Sequence, residues 1–156
     1  MTDQNKLPWD VRQQALWIVR GYERARREYL RQRREILDAG GENYVTYQSD
    51  GETRRAYLPS SHQASRATEN VAIRLEALEK TETFRQMRAV EHARARIGEG
   101  MPPAIRDALQ DAIMLNCMNG RKYPFERLYV VGIERRTFYR KRNAFLRQIA
   151  EELGLI

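Results

Sequence analysis

The sequence has one cysteine, Cys117, and two histidines, His62 and His92, among its 156 residues. A single cysteine excludes an intramolecular disulfide and is typical of a reducing compartment. The histidines have no cysteine or carboxylate partner at metal-ligand spacing, so we expect no metal and no cofactor. Nucleophilic catalysis at Cys117 would need an activating base that the sequence does not suggest, so we expect a packing role and no enzymatic activity.

Long apolar runs are also missing. No run approaches the roughly 20 residues needed to span a bilayer, and residues 1–10 lack the apolar stretch of a signal peptide. The basic segment described next lacks the large apolar face of an interfacial helix. The sequence therefore predicts a cytoplasmic protein that has no membrane partner.

Positive charge is concentrated in one segment. The chain has 28 basic and 21 acidic residues, a formal net charge of +7. Residues 121–147 contain nine basic residues, against the two acids Glu126 and Glu134, so this segment alone accounts for the net charge. A basic segment of this kind favours double-stranded DNA as a partner, since neutralisation of phosphates supplies most of the sequence-independent affinity of a protein for DNA.

The N-terminal third predicts one long helix from Pro8 to the stop at Gly40 and Gly41. Its apolar positions recur with heptad spacing and form a seam that must pack on another long helix, in the same chain or in a second subunit. The seam residues are Val11, Ala15, Ile18, Tyr22, Ala25, Tyr29, Gln32 and Ile36. For Trp9 and Trp17 we expect packing in the core or within the arm, with a partner-binding patch as the alternative. For the seven arginines of residues 20–34 we expect a solvated helix face, with a second nucleic-acid contact as the alternative.

The middle of the chain predicts a small hairpin and a second long helix. Residues 43–47 and 53–58 are rich in β-formers and flank a turn signal at 49–51. The helix then runs from Pro59 to about Ile97, with a register change near 79–83 that would break or bend it. We place a linker at 99–103, which separates a helical arm at 1–98 from a DNA-binding domain at 104–156.

The C-terminal part predicts a helix-turn-helix within a three-helix module, which makes the whole fold mainly α with a long antiparallel helical arm. A helix at 103–118 is followed by a short helix at 124–129, a turn at Gly132 with Ile133 buried behind it, and a last helix at 134–153. The last helix has an apolar stripe at Phe138, Phe145 and Ile149, with Leu146 and Leu153 beside it. A polar stripe at Arg136, Arg140, Asn143 and Arg147 lies roughly opposite.

The polar stripe has the chemistry of base readout, because arginine can donate two hydrogen bonds to guanine and asparagine can pair with adenine. Residues near the start of a recognition helix reach deepest into the groove. The candidate base contacts are Arg135, Arg136, Tyr139, Arg140 and Asn143. The candidate phosphate contacts are Arg121, Lys122, Arg142 and Arg147.

Residues 134–156, after the turn Val131-Gly132-Ile133, resemble the C-terminus of the phage-encoded ArpU/RinA-type transcriptional regulators. Those proteins are similar to the sigma-factor region that reads the −35 promoter element. The similarity covers roughly the last 50 residues and lies in residues 136–140, Arg142, Leu146, 149–150 and 153–156. It implies promoter binding at phage or prophage genes in the cytoplasm of a bacterial host. Two residues depart from the pattern: Glu134 replaces a capping serine, and Leu128 replaces a small residue.

The favoured function is therefore sequence-specific transcription regulation. The arm is expected to form a homodimer through the N-terminal helices or to contact RNA polymerase. One alternative is a phage packaging or assembly component that binds DNA non-specifically through the basic module. Another is an RNA-binding adaptor, which would prefer structured RNA to duplex DNA.

Overall fold

The computed structural model describes residues 6–40, 44–57 and 63–156 and confirms a mainly helical chain with one small hairpin. The helices are α1 (Trp9–Arg20), α2 (Tyr22–Gly40), α3 (Gln63–Glu79), α4 (Glu82–Arg96), α5 (Pro103–Met118) and α6 (Arg135–Glu152), with a 3-10 turn at Phe125–Arg127. None of the helices in these ranges is long and apolar enough to cross a bilayer.

The first predicted helix is interrupted at Gly21, so the expectation of one unbroken helix was wrong at this residue. The backbone of Gly21 has φ −83° and ψ −6°, well away from the ideal helical ψ. Helical hydrogen bonding nevertheless continues on both sides, from Gly21 N–H to Trp17 O and from Ala25 N–H to Gly21 O. Glycine has a weak helical preference, which is consistent with an interruption at this residue.

The predicted hairpin is confirmed as β1 (Tyr44–Ser49) paired antiparallel with β2 (Glu52–Tyr57). The turn residues Asp50 and Gly51 have φ values of 52° and 75°. Two successive left-handed residues form the turn that suits the twist of a two-residue hairpin, and Asp-Gly is one of its preferred sequences. The expected outer ends of the strands, Asn43 and Leu58, lie outside the described residues.

The second long helical segment breaks where the seam changes register, between α3 and α4. The hydroxyl of Thr81 donates to Leu78 O at 2.8 Å and accepts from the backbone N–H of Phe84 at 3.3 Å. Thr81 therefore caps the start of α4, which explains why the helix restarts there. The predicted start at Pro59 lies outside the described residues.

The chain divides into two compact units. Residues 6–25 and 85–156 form the first, here called the terminal unit, and residues 26–84 form the second, the arm unit. The expected boundary at 99–103 lies inside the terminal unit, because α1 packs against both α5 and α6. The third helix beside α5 and α6 thus comes from the start of the chain, a long-range association that local sequence signals do not contain.

Several residues of the predicted heptad seam are buried or contact other residues of the same chain. In the terminal unit, Val11, Ala15 and Tyr22 are buried, and the Tyr22 hydroxyl lies 3.1 Å from Glu91 Oε1 on α4. In the arm unit, the rings of Tyr29 and Phe84 are 5.1 Å apart. The seam residues Tyr22 and Tyr29, which the heptad spacing indicated, therefore each contact a residue of the second long helical segment.

The tryptophans of α1 do not pack as expected. Trp9 and Trp17 are each 70% exposed. They lie two turns apart on the side of α1 opposite Val11, Ala15 and Val19, which enter the core. The favoured packing interpretation was therefore wrong, because the buried side of α1 is filled by its aliphatic residues.

Candidate nucleic-acid interface

The turn before α6 forms at the predicted glycine. Gly132 has φ +78° and Tyr129 has φ +51°, so two residues of the loop adopt the left-handed conformation. Val130 is buried, whereas Ile133 is only half-buried, so the residue that anchors the turn lies before Gly132 and not after it. Tyr129 itself is 85% exposed.

The short helix expected at 124–129 was wrong in type and length, since the segment forms a 3-10 turn of three residues, Phe125–Arg127. A six-residue stretch forms few helical hydrogen bonds, and isolated short helices are unstable without packing. The turn is held by the Phe125 ring, whose centroid lies 5.3 Å from that of Phe138 on α6. The α-helix that precedes the recognition-type helix is therefore α5, with residues 119–134 between them.

The apolar face of α6 is buried as the sequence predicted. Phe138, Phe145, Leu146 and Ile149 are each at most 2% exposed. These side chains, together with Leu109 and Ile113 of α5 and Val19 of α1, make up much of the terminal unit's core. The inward phenylalanines fix the rotation of α6 about its axis and so determine which side chains face solvent.

The opposite face of α6 is open to solvent at its polar positions. Arg136, Arg140 and Asn143 are exposed, and within the described residues none of them forms an ion pair or a side-chain hydrogen bond. They recur on successive turns, so the guanidinium and amide groups point to the same side. Groups that can donate or accept hydrogen bonds are thus left available along the first turns of α6.

The two other candidate base contacts are engaged locally. Arg135 Nε lies 2.9 Å from Glu126 Oε1, and its guanidinium stacks over the Tyr139 ring at 5.1 Å from the centroid. The pKa of Glu126 is lowered, first by a hydrogen bond from its own backbone N–H and then by Arg135. Glu134 begins the helix without a side-chain cap, so it acts there only through its charge.

The exposed face of α6 borders a groove of about 1000 Å³ whose other side is formed by the start of the chain. Lys6, Leu7 and Arg12 line this groove together with the five candidate base contacts, Ala144 and Arg147. Lys6 and Arg12 are functional candidates that sequence reasoning missed. The only available signal was the apolar seam of α1, which required a partner but did not identify α6.

The four candidate phosphate contacts are divided between different places. Arg147 is half-buried at the groove and lies 3.7 Å from Glu151. Lys122 is exposed, with its ammonium over the Tyr123 ring, and Asn119 Oδ1 accepts hydrogen bonds from the backbone N–H groups of Arg121 and Lys122. Arg121 and Arg142 line a second, smaller depression. The structure therefore brings Arg147 to the base-contact face and separates Arg121 and Arg142 from it.

The remaining titratable groups considered in the sequence are Cys117 and the two histidines. Cys117 is fully buried, and burial raises the pKa of its thiol to about 11 despite the opposing effect of Arg142 and Arg20. A protonated, inaccessible thiol is inert, as expected for a packing residue. His92 Nδ1 lies 2.7 Å from Glu152 Oε1, and no cluster of three metal-ligand side chains occurs in the described part of the chain. His62 lies outside it.

Comparisons with protein-family models, with curated proteins and with solved structures find no match for this chain.

Proposed function

We propose that this protein is a sequence-specific transcription regulator that binds double-stranded DNA through α6. The observation that carries the proposal is the exposed row of Arg136, Arg140 and Asn143, with the phenylalanines of the same helix buried opposite. Two arginines and an asparagine on one helical face match the hydrogen-bonding edges of guanine and adenine in the major groove. The similarity of residues 134–156 to phage-encoded regulators supports promoters of phage or prophage genes as the target.

The groove beside α6 supports a particular docking geometry. A helix inserted into the major groove is flanked by the phosphate backbones that border it. In the proposed complex one backbone lies between α6 and the start of the chain, where Lys6 and Arg12 contact its phosphates and Arg147 lies further along the groove. Arg136 and Arg140 then face the base edges.

Partner contacts are proposed for α1. Trp9 and Trp17 expose most of their surface, and tryptophan is enriched among the residues that dominate protein interfaces. We assign them to a homodimer contact through the N-terminal helices, with RNA polymerase as the alternative partner. Sedimentation of the wild type and of Trp9→Ser/Trp17→Ser at increasing concentration tests the assignment. A wild-type dimer that the double variant loses supports it, and a wild-type monomer at all concentrations contradicts it.

Non-specific duplex binding, as in a packaging or assembly component, is the second candidate. It is favoured by the 3-10 turn at Phe125–Arg127, because the usual motif has a full helix in this place to support the recognition helix. A competition assay separates the two functions. Genomic fragments selected by the wild-type protein should outcompete random duplex by about 10³ or more for a regulator, whereas equal competition would favour the packaging function.

A further inference from the structure

A second depression of the terminal unit, of about 510 Å³, gathers three arginines from distant parts of the chain. Arg20 comes from the end of α1, Arg121 from the loop after α5, and Arg142 from the middle of α6. The other lining residues are uncharged: Asn116, Met118, Asn119 and Gly120. No carboxylate lines this depression among the described residues, so three positive charges converge there without compensation.

Two of these arginines are held in place by the fold. Arg20 Nε donates to the backbone carbonyl of Cys117 at 3.2 Å, which ties α1 to the end of α5. Arg142 is half-buried and lies close enough to the Cys117 thiol to influence its pKa. Arginines that are already fixed lose little conformational freedom when they bind a ligand. Their mutual repulsion is relieved when an anion binds between them.

Buried polar atoms at the depression lack partners. Asn116 is only 3% exposed, and its Nδ2 donates to Tyr123 O at 2.8 Å. Within the described residues, neither Asn116 Oδ1 nor Arg142 Nε has a hydrogen-bond partner, although both atoms are buried. Buried polar groups without partners are rare and point to a ligand or an ordered water. A ligand oxygen would satisfy Arg142, and a ligand hydroxyl or a bound water would satisfy Asn116.

We propose that this depression binds a phosphate group through Arg20, Arg121 and Arg142. The planar guanidinium group of arginine can donate two parallel hydrogen bonds to two phosphate oxygens, which the ammonium group of lysine cannot do. If the protein binds duplex DNA as proposed above, on which this step rests, the bound group is a backbone phosphate of that duplex. Arg142 lies about 120° around α6 from Arg136, given 3.6 residues per turn, within the buried stripe between Phe138 and Phe145, so the depression opens on a different side of α6 from the base-contact row. A free phosphate ester is the other source of the same chemistry.

Two variants and a control test the proposal in the full chain. Arg121→Gln is the cleaner variant, because the Arg121 side chain is exposed and makes no ion pair or hydrogen bond within the described residues. Arg20→Gln also removes the hydrogen bond to Cys117 O, so its folding must be checked by thermal unfolding. Arg127→Gln is the matched control, since Arg127 is an exposed arginine of the same unit that lines neither depression.

Two measurements separate the sources of the phosphate. The first is the salt dependence of binding to a random duplex, where loss of one phosphate contact should reduce the slope of log K against log salt by about 0.9. The second is the rise in melting temperature on replacing chloride with inorganic phosphate at matched ionic strength. We expect the wild type and Arg127→Gln to show the full salt slope and the full phosphate-dependent rise in melting temperature. Arg121→Gln and Arg20→Gln should each show a shallower salt slope and a smaller rise in melting temperature.

The salt slope and the thermal shift together identify the source of the phosphate. A reduced slope in the variants identifies a duplex phosphate, and an unchanged slope with a lost thermal shift identifies a free phosphate ester. If the variants match the wild type in both measurements, the phosphate site does not exist. If the wild type binds no duplex, the proposed function fails, while the inorganic phosphate measurement still decides on the site.

Discussion

Binding to random duplex DNA should weaken steeply with salt, because the proposed complex neutralises several phosphates. The groove beside α6 supplies three contacts (Lys6, Arg12 and Arg147), the smaller depression supplies one phosphate site shared by Arg20, Arg121 and Arg142, and the exposed Lys122 supplies a fifth contact. Five phosphates give a slope of log K against log salt of about −4.5, or a loss in affinity of about 500-fold between roughly 50 and 200 mM salt. Fluorescence anisotropy with a labelled random duplex, repeated across that range, measures the slope.

The contribution of the chain's start to this slope is the part that sequence reasoning did not anticipate. Lys6→Gln should make the slope shallower by about 0.9, since Lys6 lines the groove beside α6. Lys80→Gln is the control, because Lys80 lies in the arm unit, is exposed and pairs with Glu76 at 2.9 Å. A wild-type slope shallower than about −2, or equal slopes for Lys6→Gln and Lys80→Gln, would refute the docking geometry.

Three further predictions concern the fold that presents α6. Phe138→Ala should lower the free energy of unfolding in urea by about 3–5 kcal/mol, whereas Tyr129→Ala at the exposed turn should change it by less than about 0.5 kcal/mol. Gly132→Ala should lower the free energy of unfolding by about 1–2 kcal/mol in the same assay, because an alanine is strained in the left-handed conformation of this residue. An unchanged free energy of unfolding would contradict this strain. Cys117 should resist thiol reagents at neutral pH until the protein unfolds. Because folding raises the pKa of the Cys117 thiol to about 11, the free energy of unfolding should be constant at pH values below the thiol's ordinary pKa and should fall as the pH rises from there towards about 11. Rapid labelling of the folded protein would contradict its burial.

Local sequence signals predicted the elements whose causes are local. The turn at Asp50 and Gly51 follows from residues that tolerate positive φ, and the two faces of α6 follow from the spacing of Phe138, Phe145 and Ile149. Burial of one side of a helix requires only the correct periodicity. For this reason the mainly helical fold, the hairpin and the exposure of Arg136 and Arg140 could be anticipated.

Features that depend on distant contacts could not be anticipated in the same way. The packing of α1 on α6 brings Lys6 and Arg12 to the candidate interface, although more than a hundred residues separate them from Arg136 in the chain. The periodicity of α1 indicated that its seam needed a partner, but not which one. The 3-10 turn at Phe125–Arg127 likewise reflects packing of Phe125 on Phe138, which overrides the weak helical signal of a short segment.

The most direct test of DNA reading by α6 compares single arginine variants on two duplexes, one selected from genomic fragments by the wild-type protein and one random. Arg136→Ala and Arg140→Ala should each lose about 1–3 kcal/mol of binding free energy on the selected duplex and distinctly less on the random one. Arg127→Ala, at an exposed position outside both basic depressions, should bind the selected duplex as the wild type does. Equal losses for Arg136→Ala and Arg140→Ala on both duplexes would show that these side chains contact only the backbone, which would contradict base readout by this face of α6.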